Sequence, residues 1–446
     1  MGPTVSIVGL GKLGCPLAVC FASNGSQVIG VDQSAKTVDA LNNGVILSYE
    51  PGLHELLNSC KDKIRATQNF DDAVHSSNVT FVVVPTPTKQ DGTFDNKYVV
   101  EACRSIGKAI KSKSKYHVVV IVSTVMPGST EGVIREALER SSGKTSAVQF
   151  GLCYAPAFVA LGNVVQNFLQ PDYLLIGESD PRAGEELENL YRTICQDNPP
   201  VARMNFINAE LVKLANNAFI STKITFGNML SHICGRLPDA HVDTVTSALG
   251  LDSRIGVKFL KGGLGYGGPC LDRDNIALAA MAQSIGTKAT LAEATDEANR
   301  QEVTTLVELI KSKRGTSSTV GVLGLAYKPN TNVIDASQGI LLAQALVQEG
   351  FHVIAFDPVA NDEAKRLLGE SVILADSADQ CIRQTDVTVL ATPWKTFEDL
   401  DPNAFAVSES SSQQKLLIDC WRMLDASKFS ITSDYIPQGI GPLRNS

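Results

Sequence analysis

Short apolar runs rich in Val and Ile recur through the first two hundred residues, separated by stretches with helical spacing. Val5 to Val8, Gln27 to Val31, Val79 to Val84 and His117 to Val122 lack the alternation of a half-solvated sheet. Such runs predict parallel strands buried on both faces, and their alternation with helices predicts an α/β fold. A further apolar stretch covers Val148 to Cys153, and Pro199-Pro200 marks a break. From Asn208 to Cys234 breakers are few and apolar residues return at helical spacing, so one long helix is predicted, with shorter helices to about Lys311. A second α/β unit then follows. Its strands are Thr319 to Leu323, Val353 to Phe356 (ending at Asp357), Asp386 to Leu390 and Lys415 to Asp419, with a helix over Gly339 to Gly350.

The first strand runs directly into Gly9-Leu10-Gly11-Lys12-Leu13-Gly14 and an Ala-rich apolar helix, and the second ends in Asp32. This is the dinucleotide-binding fingerprint of a Rossmann-like unit. Gly9 permits the tight turn, Gly11 lets a pyrophosphate reach the helix N-terminus, and Gly14 lets the helix lie on the strand. Asp32 would accept hydrogen bonds from ribose hydroxyls and repel a 2′-phosphate, which favours NAD over NADP. Two later strands end in loops at the same sheet edge, Pro85-Thr86-Pro87-Thr88 and Ser123-Thr124, where ligands of such sheets sit. The second unit has Gly324 after its first strand and no full fingerprint, so one nicotinamide cofactor is expected.

Gly262 to Asp274 reads GGLGYGGPCLDRD and sets Cys270 in a glycine-rich loop followed by Arg273 and Asp274. Glycines allow close approach of backbone to a ligand, and a guanidinium nearby favours a thiolate nucleophile. The plainer reading of the loop alone is a flexible segment with a buried thiol. Lys213 and Asn217, four residues apart, share one face of the long helix; taken alone, such a pair is more commonly a solvated one.

The formal net charge of −8 argues against a general nucleic-acid surface, and no apolar stretch reaches membrane-spanning length. Ten cysteines without CxxC pairs and six dispersed histidines indicate neither a zinc site nor a disulfide framework, and no metal is expected. The first strand begins within a few residues of Met1 with no charged leader, which reads as a cytoplasmic protein.

Together these residues resemble the nucleotide-sugar 6-dehydrogenases, the family of UDP-glucose, UDP-N-acetylmannosamine and GDP-mannose dehydrogenases. The likeness is carried by Gly9 to Gly14, Glu50-Pro51-Gly52-Leu53, Pro85-Thr86-Pro87, Ser123-Thr124-Val125, Glu210 to Ala218, Arg254-Ile255-Gly256, Lys258 to Lys261, the Cys270 loop and Gly324 to Lys328. It implies two Rossmann-like doubly wound domains joined by a long central helix and a helical dimerisation domain. The implied bounds are 1–200 for NAD, 201–314 for the dimerisation domain with the cysteine loop, and 315–446 for the nucleotide sugar. The resemblance implies NAD-dependent oxidation of a sugar C6 alcohol to the uronate through a thiohemiacetal and a thioester on Cys270. Lys213 and Asn217 would stabilise the oxyanions, and Asp274 and Thr124 would position water and proton transfers. The implied cofactor contacts are Gly9, Gly11, Lys12, Leu13, Gly14, Asp32, Pro85, Thr86, Thr124, Arg273 and Lys328. Those implied for the substrate are Lys213, Asn217, Arg254, Phe259, Lys261, Gly267, Tyr327, Lys328 and Arg422. Arg254 would reach the neighbouring subunit's substrate in a homodimer or larger homo-oligomer.

Departures from the family pattern keep other chemistries open. A glutamate of the relatives, associated with thioester hydrolysis, is Ala157 here, and a second acidic position is Leu161. Arg273 replaces a lysine, Leu271-Asp272 replaces Phe-Pro, and Asp335 reverses the charge of an arginine. Three readings follow: a four-electron nucleotide-sugar dehydrogenase, a variant that stops at two electrons or keeps its acyl-enzyme, and a non-catalytic nucleotide-sugar or NAD-binding protein. The β-hydroxyacid dehydrogenases share a dinucleotide domain with a helix Lys and Asn, but lack the cysteine loop and a third α/β domain.

Overall fold

The computed structural model describes residues 2–316, 318–407 and 413–444. They form two compact units, Met1–Ala215 and Asn216–Ser446. In the first, strands β1 (Thr4–Val8), β2 (Gln27–Val31), β3 (Ile64–Thr67), β4 (Val79–Val82), β5 (Val118–Ile121), β6 (Gly151–Tyr154), β7 (Leu174–Glu178) and β8 (Val201–Met204) join in the order β3-β2-β1-β4-β5-β6-β7-β8. Pairing is parallel up to β6, reverses between β6 and β7, and is parallel again between β7 and β8. The chain order turns back between β1 and β4, the switch point at which such sheets bind ligands. Helices cover both faces. Phe21, Phe81 and Tyr191 stack on one, and Phe150 and Tyr154 fill the other. Each fully buried Phe or Ile here contributes roughly 1.5–3 kcal/mol.

The second unit holds β9 (Thr319–Leu323), β10 (His352–Phe356), β11 (Ile373–Leu374), β12 (Val387–Leu390), β13 (Leu416–Asp419) and β14 (Asp434–Pro437), in the order β11-β10-β9-β12-β13-β14 and parallel throughout. Both sheets are thus doubly wound Rossmann sheets. The expected strands are present with shifted ends. Val148 is 71 % exposed beside Ala147, whose φ of 65° makes a turn, so β6 starts at Gly151.

The second sheet repeats the glycine device that its sequence conceals. A Cβ on Gly14 would lie 1.8 Å from the Gly9 carbonyl oxygen, and one on Gly339 would lie 2.0 Å from that of Gly324. In each unit a helix is therefore pressed against the turn that leaves the first strand. Between Gly324 and Gly339 the chain makes an excursion that hides the spacing.

The long helix runs Phe206–Cys234. Its buried residues include a polar series, Glu210, Lys213, Asn217, Ser221, Asn228 and Ser231, at spacings that return to one side every turn or two, beside the apolar Phe206, Ala209, Leu214, Ala218 and Cys234. Phe219, Phe226, Met229 and Ile233 are exposed. A helix that buries its polar stripe does so because those side chains have partners, and a water-facing apolar stripe calls for another surface.

Candidate active site

In the first unit the expected cofactor residues gather at the carboxyl ends of β1, β2, β4 and β5. Gly9 has φ +93°, and a Cβ there would strike the Val83 carbonyl oxygen at 2.3 Å. A Cβ on Gly11 would meet nothing within 4 Å, so the turn presents open space before the helix Gly14–Ser23, with Lys12 exposed and Leu13 at the N-cap. Asp32 accepts the Leu10 N–H on Oδ2 at 2.9 Å and the Ser34 N–H on Oδ1 at 2.9 Å. A carboxylate offers about four acceptor sites, so this leaves capacity for a ribose diol. These residues fit a dinucleotide. Asp357, the counterpart after β10, is 1 % exposed and accepts from the N–H groups of Leu325, Ala326, Val359 and Ala360 and from the Trp394 indole. The second sheet spends its acid on itself.

Pro85 is exposed after β4, while Thr86 is buried and donates to the Thr124 carbonyl at 2.8 Å, tying the loops after β4 and β5 together. The loop beyond Thr124 is capped by Glu210, which accepts from the N–H groups of Gly128 at 2.6 Å and Thr130 at 2.8 Å. Burial raises the Glu210 carboxyl above its ordinary pKa, opposed by the bonds to Thr130 and Gly128. Lys213 donates to the Ala157 carbonyl at 2.9 Å and lies 4.8 Å from the Phe158 ring centroid, so its ammonium faces the loop after β6. In that loop Ala157 and Leu161 pack against an apolar cluster of the same unit. Glu50 holds the far end of the loop through Gly162 N–H and Val164 N–H.

In the second unit Cys270 is exposed at the N-cap of the 14-residue helix Leu271–Ser284, the end that favours an anion. One turn on, Asp274 is fully buried and accepts from Asn217 Nδ2 at 2.6 Å, while Arg273 Nε stands 3.4 Å from its other oxygen. The helix therefore puts Cys270 and Asp274 on one side, with Asn217 against the carboxylate.

The glycine loop before Cys270 is pinned along its length. Asn228 pairs with Gly263 N–H and the Leu264 carbonyl, and Asn299 with both backbone groups of Tyr266. Gly267 lies against the Ala336 carbonyl, Gly268 against the Tyr327 ring, and Gly268 N–H donates to the Asp335 carbonyl at 2.8 Å. Backbone groups bonded to buried amides favour an ordered loop over the flexible one, and the thiol is exposed rather than buried. Lys328 follows Tyr327, its Nζ 6.0 Å from that ring centroid.

Arg422, expected against substrate, has a buried side chain whose five N–H groups meet Asp243 twice and the carbonyls of Cys420, Gln438 and Gly262. Burial raises the Asp243 pKa, but the Arg422 contact more than offsets it and the net shift is downward. Arg254 is exposed and forked onto Asp252, and Phe259 (φ 63°) and Lys261 are exposed on the segment that follows. The sequence alone assigns no role to Glu210, which enters only within the Glu210 to Ala218 match, nor to Asn228, Asn299 and Asp296. For the first two a signal existed: polar residues at helical spacing on an otherwise apolar helix.

The fingerprint turn of the first unit is of the kind by which nicotinamide-dependent oxidoreductases hold their dinucleotide. Comparison with known proteins makes the class specific. Residues 3–195, 207–301 and 321–426 match the NAD binding, central and UDP binding domains of the UDP-glucose/GDP-mannose dehydrogenase family. The chain is 36 % identical over 409 residues to UDP-glucose 6-dehydrogenase AglM of Haloferax volcanii, covering 91 % of this chain and 94 % of that one. It is 31 % identical over 429 residues to GDP-mannose 6-dehydrogenase of Pseudomonas aeruginosa, covering 93 % and 95 %. Its structure is similar to that of a UDP-glucose dehydrogenase from Pyrobaculum islandicum, with TM-score 0.90, 32 % identity and coverage of 99 % and 98 %. The protein belongs to the UDP-glucose/GDP-mannose dehydrogenase family, and its cofactor is NAD. Among the described residues no helix is long and apolar enough to cross a membrane.

Proposed function

We propose that the protein is a cytoplasmic NAD-dependent 6-dehydrogenase that oxidises the C6 alcohol of a UDP-linked sugar, UDP-glucose or a UDP-N-acetylhexosamine, to the uronate. The observation that carries this reading is Cys270, exposed at a helix N-terminus one turn from the Asn217–Asp274 pair. NAD supplies the acceptor for each of two hydrides. Cys270 adds to the C6 aldehyde, and the ammonium of Lys213 and the amide of Asn217 stabilise the alkoxide and the thiohemiacetal oxyanion. After the second oxidation Asp274 and Thr124 orient the water that releases the thioester. The same proposal divides the chain into 1–200 for cofactor, 201–314 for dimerisation and 315–446 for the nucleotide sugar.

A second reading draws on Ala157 and Leu161. Both present alkyl groups to an apolar cluster where relatives carry carboxylates, so hydrolysis loses a base and the acyl-enzyme would persist. Counting NADH per sugar nucleotide consumed, with product mass, decides between them. Two NADH and a free carboxylate per sugar, with continued turnover, are expected; a burst that stops at two NADH per active site, with the sugar retained as a thioester on Cys270, would replace the first reading with the second. No NADH from any UDP- or GDP-linked hexose would leave the non-catalytic reading.

The exposed stripe Phe219, Phe226, Met229 and Ile233 supports a homodimer built on the long helix. Light scattering should give twice the 47.6 kDa chain mass or a multiple of it. A Phe226→Glu, Ile233→Glu double variant should shift that mass toward the monomer. An unchanged mass would place the contact elsewhere.

A further inference from the structure

Cys270 lies between two residues that share one acceptor. Tyr266, four positions before it, donates its hydroxyl to Asp296 Oδ1 at 2.5 Å; Asn275, five positions after it, donates Nδ2 to the same oxygen at 2.8 Å. Asn275 Nδ2 also reaches the Tyr266 hydroxyl at 3.2 Å. All three side chains are buried, and Asp296 projects from the helix Thr290–Arg314, which belongs to neither flank of the loop. Between the flanks run Gly267, Gly268 with φ +90°, and Pro269. The two glycines carry no side chain to pack, and ordering them costs more backbone entropy than any other residue type would. Besides the bond from Gly268 N–H to the Asp335 carbonyl, order at the thiol then comes from the ends of the segment. The backbone of Tyr266 is already fixed by Asn299 and Gln338, so its ring projects at a defined angle toward Asp296. A buried carboxylate that lost either donor would be left poorly compensated, so the contact resists opening.

We propose that Asp296 is a positioning residue for Cys270: by binding the chain before and after the thiol with one oxygen, it sets where the nucleophile stands over Asp274 and Asn217. This rests on the reading of Cys270 as the nucleophile. Position 296 demands an acceptor facing two donors, a role that asparagine can fill through its own carbonyl and alanine cannot. Burial, and then the bond to Asp296, hold the Tyr266 phenol far above its ordinary pKa, so it remains a donor at neutral pH.

The test uses the full-length protein with Asp296→Ala, Asp296→Asn, Tyr266→Phe and Cys270→Ser. Hydrogen exchange of peptides spanning 262–275 is measured beside kcat and the KM for NAD. In Asp296→Ala and Tyr266→Phe, loop exchange should rise and kcat should fall, each by about tenfold or more, with the KM for NAD within about twofold, because a nucleophile displaced by an ångström loses rate while neither substitution alters the Gly9 to Gly14 turn. Asp296→Asn should stay near wild type in both. Wild-type loop exchange in Asp296→Ala would overturn the assignment, as would an Asp296→Asn protein as slow as the alanine variant with an ordered loop, which would point to charge. If Asp296→Ala does not fold, Tyr266→Phe against Asp296→Asn makes the same comparison. The two failures are distinguishable. Full turnover in Cys270→Ser overturns the nucleophile reading whatever the exchange rates, whereas an unmoved loop in Asp296→Ala with Cys270→Ser inactive overturns the Asp296 assignment alone.

Discussion

Cys270→Ser is expected to lower four-electron turnover by at least about a thousandfold, which is roughly 4 kcal/mol of lost transition-state stabilisation. The substitution exchanges sulfur for oxygen at an exposed N-cap, where serine is itself a favoured residue. Folding stability should therefore move by no more than about 0.5 kcal/mol, as for a surface change. The substitution leaves the dinucleotide turn at Gly9 to Gly14 unaltered, so NAD binding should be unchanged. Hydride removal from the alcohol needs no thiol, whereas the second oxidation needs the covalent adduct. The measurement is NADH per sugar nucleotide in a single-turnover experiment, with the aldehyde trapped by a hydrazine. One NADH or fewer and no uronate are expected from the serine variant. Uronate at two NADH would remove Cys270 from the chemistry and transfer the question to whatever nucleophile replaced it.

What the chain discloses in sequence is what depends on neighbours in sequence. The turn Gly9 to Gly14 and the acid Asp32 were legible because strand, turn and helix are contiguous, and the fully apolar strands because burial on both faces leaves no alternation to misread. β7 and β8 were not foreseen. Val201–Met204 is only half buried, and nothing local announces that β7 runs against β6. The glycine device of the second sheet was hidden by the excursion between Gly324 and Gly339, since the contact is set by space and the motif by spacing. The cysteine loop shows the same division. Its glycines were visible, but Asn228, Asn299 and Asp296 come from two other helices and become meaningful only once a carbonyl or hydroxyl stands opposite them. Arg422 reads as a cation open to phosphate until its five donors are followed to Asp243 and three carbonyls.

Gly14→Ala should abolish useful NAD binding, with affinity falling by about a hundredfold or more, or roughly 2.7 kcal/mol. The added methyl would stand 1.8 Å from the Gly9 carbonyl oxygen, and backbone cannot yield as a side chain can. The helix Gly14–Ser23 must lift away from the turn, withdrawing the N–H groups and the helix end that would hold the pyrophosphate. Steric disruption alone would destabilise the fold by about 1–3 kcal/mol. Gly339→Ala separates that effect from ligand binding, because it places a methyl 2.0 Å from the Gly324 carbonyl oxygen in the sheet whose acid is already consumed. Thermal unfolding should show comparable losses for the two variants, while NAD titration by calorimetry should be affected only by Gly14→Ala. Equal loss of NAD affinity in both would mean that the second sheet takes part in dinucleotide binding. Normal affinity in a folded Gly14→Ala protein would move the pyrophosphate away from this turn, since no geometry with the helix still seated accommodates the methyl.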